Sequence, residues 1–228
     1  MKRALVLALC LAFAGAAAQA QPAATSATGQ PDSQDWPTQT YVVAGYKTAR
    51  FGMTPAEVAA AAAKDLPGAK ITAPVANPIN RTSVMVARTD RLAPGPGPAI
   101  VSYVFGAAGG RLIHVNVDWT MDQPSPADRE ALIDAGSRAT REFVGYQWKL
   151  FTVARGVPVG PNSLILFAGT GEAGGAVEVR LEGVPYTAKT KAGATVASPP
   201  ATGRATLHIA IAQADAKPDT YTIKPGEF

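Results

Sequence analysis

Apolar and polar residues first settle into a helical rhythm just after Met53. In TPAEVAAAAAKDLPG, Thr54 can cap a helix, Pro55 takes the first position, where a missing N–H costs nothing, and Glu57 completes a capping box. The pattern predicts a helix to about Leu66, stopped by Pro67-Gly68, with an alanine-rich middle that lets a sheet approach closely. The period then changes to alternation over 82–90, 99–105 and 111–120, which predicts three strands. LAPGPGPA is too rich in Pro and Gly to pair and reads as a loop, while GAAGG after Phe105 reads as a hairpin turn, so this meander is antiparallel. A second helix opens at Ser125-Pro126 with Asp128 as its acid, and Leu132, Ala135, Ala139, Phe143 and Tyr146 form its apolar stripe. Strand-like segments follow at 148–154, 163–169, 176–184 and 205–213, and a short one is expected at 41–43.

This order predicts an α+β protein, with two helices packed on one face of an antiparallel sheet of six to eight strands. The two helix starts, Thr54-Pro55-Ala56-Glu57 and Ser125-Pro126-Ala127-Asp128, lie 71 residues apart, and each precedes several strands. That suggests a tandem duplicated α-β-β-β unit, with lobes at 36–122 and 123–228, although S/T-P-x-D/E is also simply a favoured helix start.

Strand alternation also says where chemistry could sit. Ile113, Val115, Val117 and Trp119 point one way and His114, Asn116 and Asp118 the other; Val177, Val179 and Leu181 likewise oppose Glu178, Arg180 and Glu182. The apolar face is expected under the helices. The polar face then becomes a candidate ligand-binding surface carrying His114, Asn116, Asp118, Glu178, Arg180 and Glu182, with Tyr103 or Phe105 beside it; the alternative is a solvated outer face. Positions four apart on a strand are separated by roughly 13 Å, so Glu178 and Glu182 are too distant for a retaining glycosidase pair. The same spacing separates His114 from Asp118. A triad or metal site would need groups recruited from another strand, and none of the residues is assigned a catalytic or metal-ligating role. Gly169-Thr170-Gly171-Glu172-Ala173-Gly174 has the G-x-G-x-x-G form, yet a strand follows it rather than a helix, so it reads as a glycine hairpin and no cofactor is implied. The segment 185–204 lacks apolar periodicity and reads as a long loop in which Lys189, Lys191 and Arg204 could meet an anionic partner.

Composition narrows the setting. MKRALVLALCLAFAGAAAQA has the charged start, short apolar run and small-x-small end of a signal peptide at 1–20, with cleavage expected after Ala20. Residues 21–35 then form a flexible leader without large apolar side chains. Cys10 is the only cysteine, so the mature chain would carry no disulfide and no thiol chemistry. Removing Lys2 and Arg3 lowers the formal charge from +4 to +2, too small an imbalance to argue for nucleic acid. No segment of the mature chain is apolar enough to suggest a transmembrane helix.

Arg50 to Val58, RFGMTPAEV, resembles the helix start of small bacterial envelope proteins of the outer-membrane assembly lipoprotein type, whose fold is similar to that of the β-lactamase inhibitor protein. The resemblance implies two tandem units of helices on an antiparallel sheet. This chain departs from those families in lacking a lipid-modified cysteine at its cleavage site and the inhibitor's disulfides. The whole chain also resembles an uncharacterised group of signal-bearing bacterial proteins with an FGMT..V helix start and a PGxF ending, here Pro225-Gly226-Glu227-Phe228. That resemblance implies secretion and no activity. The expectation is a periplasmic or secreted, non-catalytic binding or accessory module of the cell envelope, inhibitor-like in one version, with an unknown protein or envelope ligand as partner. The alternatives are a hydrolase of an envelope component, which would need His114 or His208 beside Asp118, Glu178 or Glu182, and a purely structural envelope protein.

Overall fold

A computed structural model of the chain describes residues 37, 39–189, 195–213 and 219–221. The expected signal peptide, the leader, Lys191 and the PGEF ending lie outside the described residues, as does the side chain of Lys189.

Both predicted helices form where their caps place them. Helix α1 spans Pro55–Asp65 and helix α2 spans Pro126–Val144. Thr54 Oγ1 accepts from the Glu57 N–H while the Glu57 carboxylate accepts from the Thr54 N–H; Ser125 and Asp128 repeat the exchange in α2. Two otherwise orphaned donors are satisfied at each helix start.

The strands are β1 (Gly45–Tyr46), β2 (Ala49–Arg50), β3 (Lys70–Ile71), β4 (Val75–Ala76), β5 (Ser83–Thr89), β6 (Ala99–Phe105), β7 (Leu112–Met121), β8 (Ala154–Gly160), β9 (Ser163–Thr170), β10 (Ala176–Glu182), β11 (Thr187–Lys189), β12 (Thr195–Ala197) and β13 (Ala205–Ala212). Nine of them make one antiparallel sheet in the order β3-β5-β6-β7-β13-β10-β9-β8, with β4 also on β5. The strand count exceeds expectation because the two-residue strands β3 and β4 pair along the edge of β5. The fold class is α+β, as the element order predicts. The two halves share a capped helix followed by strands, but their helices differ, 11 residues against 19, and a duplication of one unit is not established.

Helix α1 packs against β2 and β3, while α2 packs over β9, β10 and β13. Gly136 makes the second contact possible, since a Cβ there would lie 2.5 Å from Leu166 Cδ1 and 3.3 Å from Leu207 Cδ1. The helix-side sheet face is fully apolar at its centre: Val115, Val117, Trp119, Val179, Leu207 and Ile209 are all buried. Covering each such side chain stabilises the fold by about 1.5–3 kcal/mol.

Four expectations need correction. Tyr103 and Phe105 do not border the polar face: Tyr103 pairs with Val115 across β6 and β7, which puts it on the helix side, and both rings are buried. The segment 148–154 is not a strand. Trp148 is drawn into an aromatic cluster with Tyr41, Phe143 and Phe167, residues 149–152 turn, with Thr152 Oγ1 donating to the Lys149 carbonyl, and the strand begins only at Ala154. The segment 41–43 forms no strand either; it is tied to the end of α2 by a single parallel bridge, Thr40 to Gln147. The long loop at 185–204 contains the hairpin β11–β12.

Replacing Ser125 by Ala should lower stability by about 1 kcal/mol, read from the urea midpoint, because it removes a cap acceptor while leaving packing intact. Thr54→Ala should act similarly.

Candidate functional site

The polar face assembles all six candidate residues, and it neutralises them internally. Across the sheet, Ile100, Asp118, His208 and Arg180 form one row of register partners, flanked by Ser102, Asn116, Ala210 and Glu178. Arg180 lies between the two glutamates, with Nη2 2.6 Å from Glu178 and Nη1 3.6 Å from Glu182. His114 Nε2 is 2.7 Å from Asn116 Oδ1. His208, on β13, comes beside Asp118 with Nδ1 2.6 Å from Oδ1. This is the cross-strand recruitment that a hydrolytic site would need. Both side chains nevertheless remain 28% exposed on the sheet surface, and among the described residues no serine or threonine hydroxyl reaches the His208 ring. Arg204, a candidate anion contact, is engaged by Asp122 at 2.9 Å. Among the described residues, no group of three His, Cys, Asp or Glu could hold a metal ion, and no helix is long and apolar enough to cross a membrane.

A concavity with an apolar floor lies on the other face, and sequence reasoning missed it. Because α2 covers β13 and β10 while α1 sits over β3, the middle of the sheet at β7 and β13 is left to the small hairpin β1–β2. A cleft of about 540 Å³ remains between this hairpin and α2. Trp119, Ile209 and Ile211 form its floor. Tyr41, Phe143 and Tyr146 make one wall, Tyr46 the other, and Ala93-Pro94 closes an end. The volume, the apolar floor and the few polar groups at the mouth are what ligand pockets typically combine.

The walls are held from several directions. Tyr41 packs edge-on to Phe143 and Tyr146 at 5.4 and 5.1 Å and stacks on Trp148 at 5.0 Å; such pairs contribute about 0.5–1.5 kcal/mol each beyond area burial. The hairpin is pinned to α1, since Thr48 donates through both its N–H and its hydroxyl to Asp65 Oδ2 at 2.7 Å. Its two-residue turn holds Lys47 at φ +52°, and Lys47 is among the residues that line the cleft. On the opposite lip, Arg138 Nη2 donates to the Pro94 carbonyl at 3.0 Å, bracing the Pro-rich loop against α2. That loop lies directly on Trp119, whose Nε1 donates to the Leu92 carbonyl at 2.9 Å.

Electrostatics follow burial. The Tyr46 hydroxyl is pushed well above its ordinary range, mainly by burial and further by Tyr103 and Asp65. Tyr41 is raised by burial and then by Tyr146 and Glu142. Both phenols therefore stay protonated and able to donate. On the polar face, burial holds His114 below the ordinary histidine value; the Asn116 hydrogen bond opposes this shift and His208 adds to it.

No protein-family model, curated protein or solved structure matches the chain.

Two outcomes are expected from this geometry. Gly95→Ala would place a Cβ 2.1 Å from the Trp119 ring, so the loop or the indole must move; thermal or urea unfolding should report a loss of about 1–3 kcal/mol. His114 resists protonation when folded but accepts a proton at about pH 6.5 when unfolded, so its contribution is complete above that pH and declines as pH falls below it. In His114→Gln, the part of the stability loss below about pH 6.5 that belongs to this ring should disappear, and a pH series of urea midpoints that keeps the same slope would refute it.

Proposed function

We propose that this protein is a non-catalytic binding module that works outside the cytoplasm, in the cell envelope, and that it holds its ligand in the cleft between α2 and the β1–β2 hairpin. The observation that carries this reading is the cleft itself: about 540 Å³ of concave space over an apolar floor of Trp119, Ile209 and Ile211. The extracytoplasmic setting rests on the signal-like first twenty residues. On the polar face, by contrast, Arg180, Glu178, Glu182, His208 and Asp118 pair among themselves, so a partner there would first have to break those pairs.

A hydrolytic role is the second reading, favoured by the His208–Asp118 pair alone. It would require a water or substrate hydroxyl as nucleophile, supplied from solution, because the described residues place none at the ring.

The binding reading is tested with an uncharged apolar probe whose fluorescence rises when it leaves water, such as N-phenyl-naphthylamine. Saturable binding to the purified protein is expected. Ala139, buried beside the cleft, offers the control: Ala139→Phe should fill the space and weaken the probe at least about tenfold while unfolding remains cooperative. Absence of saturable binding, or undiminished binding in that variant, would refute the cleft as the site.

A further inference from the structure

The mouth of the cleft has a chemical polarity that its floor lacks. Three charged side chains line it, Lys47 on the hairpin and Arg138 and Glu142 on α2. Arg138 and Glu142 stand one turn apart on the same helix, the spacing at which opposite charges normally pair. Among the described residues neither they nor Lys47 forms an ion pair within 4 Å. Arg138 instead spends a donor on the Pro94 carbonyl, which holds its guanidinium at the lip, and Lys47 lies 5.9 Å from the centre of the Tyr46 ring. Two cations without an ion-pair partner therefore line the same cleft as one carboxylate, and protonated tyrosines line it with them.

We infer that the cleft takes an amphiphile with a single anionic head, its chain or ring against the apolar lining and its head held by Lys47 and Arg138. The inference rests on the cleft being a binding site. A cationic head would gain Glu142 but would meet both cations; a headless hydrocarbon would leave the cations without a partner. A carboxylate and a phosphate monoester share the required chemistry, a compact anion able to accept from a lysine ammonium and one edge of a guanidinium.

The test is displacement of the uncharged probe by four ligands of equal chain length: decanoate, decyl phosphate, decanol and decyltrimethylammonium, each below its micelle concentration. An anionic ligand should displace the probe at about tenfold lower concentration than decanol or the ammonium compound, and the better of decanoate and decyl phosphate identifies the head. Lys47→Ala combined with Arg138→Ala should erase that preference, read as the ratio of anionic-ligand to decanol displacement at whatever probe affinity the variant has, with cooperative urea unfolding showing that it is folded. Lys47→Arg should retain the preference, and Glu142→Gln should increase it. Equal displacement by all four ligands, tighter binding of the ammonium compound, or an anionic preference that survives loss of both cations would overturn the inference while leaving the cleft as a binding site. Failure of the uncharged probe itself would overturn both.

Discussion

The pairing of β7 with β13 is the constraint on which everything else in this structure hangs. Eight consecutive register pairs, from Met121 with Ala205 to His114 with Ala212, join the strands of the first half to those of the second and make one sheet of them. The same ladder decides both faces at once. It aligns Trp119 with Leu207 and Val117 with Ile209 on the helix side, and Asp118 with His208 and Asn116 with Ala210 on the other. A slip of one residue would turn the cleft floor into solvent and bury the histidine–aspartate pair, so burial on one side enforces the register that chemistry on the other side uses.

The central position of this ladder also explains why a cleft exists. Neither helix lies directly over the join. α2 lies over β9, β10 and β13, and α1 reaches β3. A two-strand hairpin and a Pro-rich loop fill part of the space between them. Both combine polar anchors, Thr48 to Asp65 and Arg138 to Pro94, with one buried side chain each, Ala49 and Leu92. Trp119, Ile209 and Ile211 beneath the cleft are themselves buried, so its accessible lining is the half-buried tyrosines and exposed charged residues around them.

Much of this was legible along the chain because the signals are local. Thr54-Pro55-Ala56-Glu57 and Ser125-Pro126-Ala127-Asp128 are self-contained instructions whose donors and acceptors lie within three residues of each other. The alternation of β7, β10 and β13 is equally local and placed His114, Asn116, Asp118, Glu178, Arg180 and Glu182 on one face. Local reading failed where a competing long-range partner won. Trp148, Lys149 and Leu150 alternate like a strand, but Trp148 is claimed by Tyr41 and Phe167, and the chain turns instead. β8 alternates poorly, with Gly156 and Pro158 inside it, yet it pairs because β9 presents an open edge.

The amino-acid sequence by itself determined the helices, their caps, the alternating strands and the two-sided character of the sheet, because each of these depends on neighbours a few residues away. Only the tertiary structure decided that His208 would stand 2.6 Å from Asp118, ninety positions earlier, and that Lys47 and Arg138 would line one cleft with Trp119. Those arrangements depend on strand order and on the gap between helices, which are set by how whole apolar faces share a limited area, and no short stretch of residues encodes that sharing.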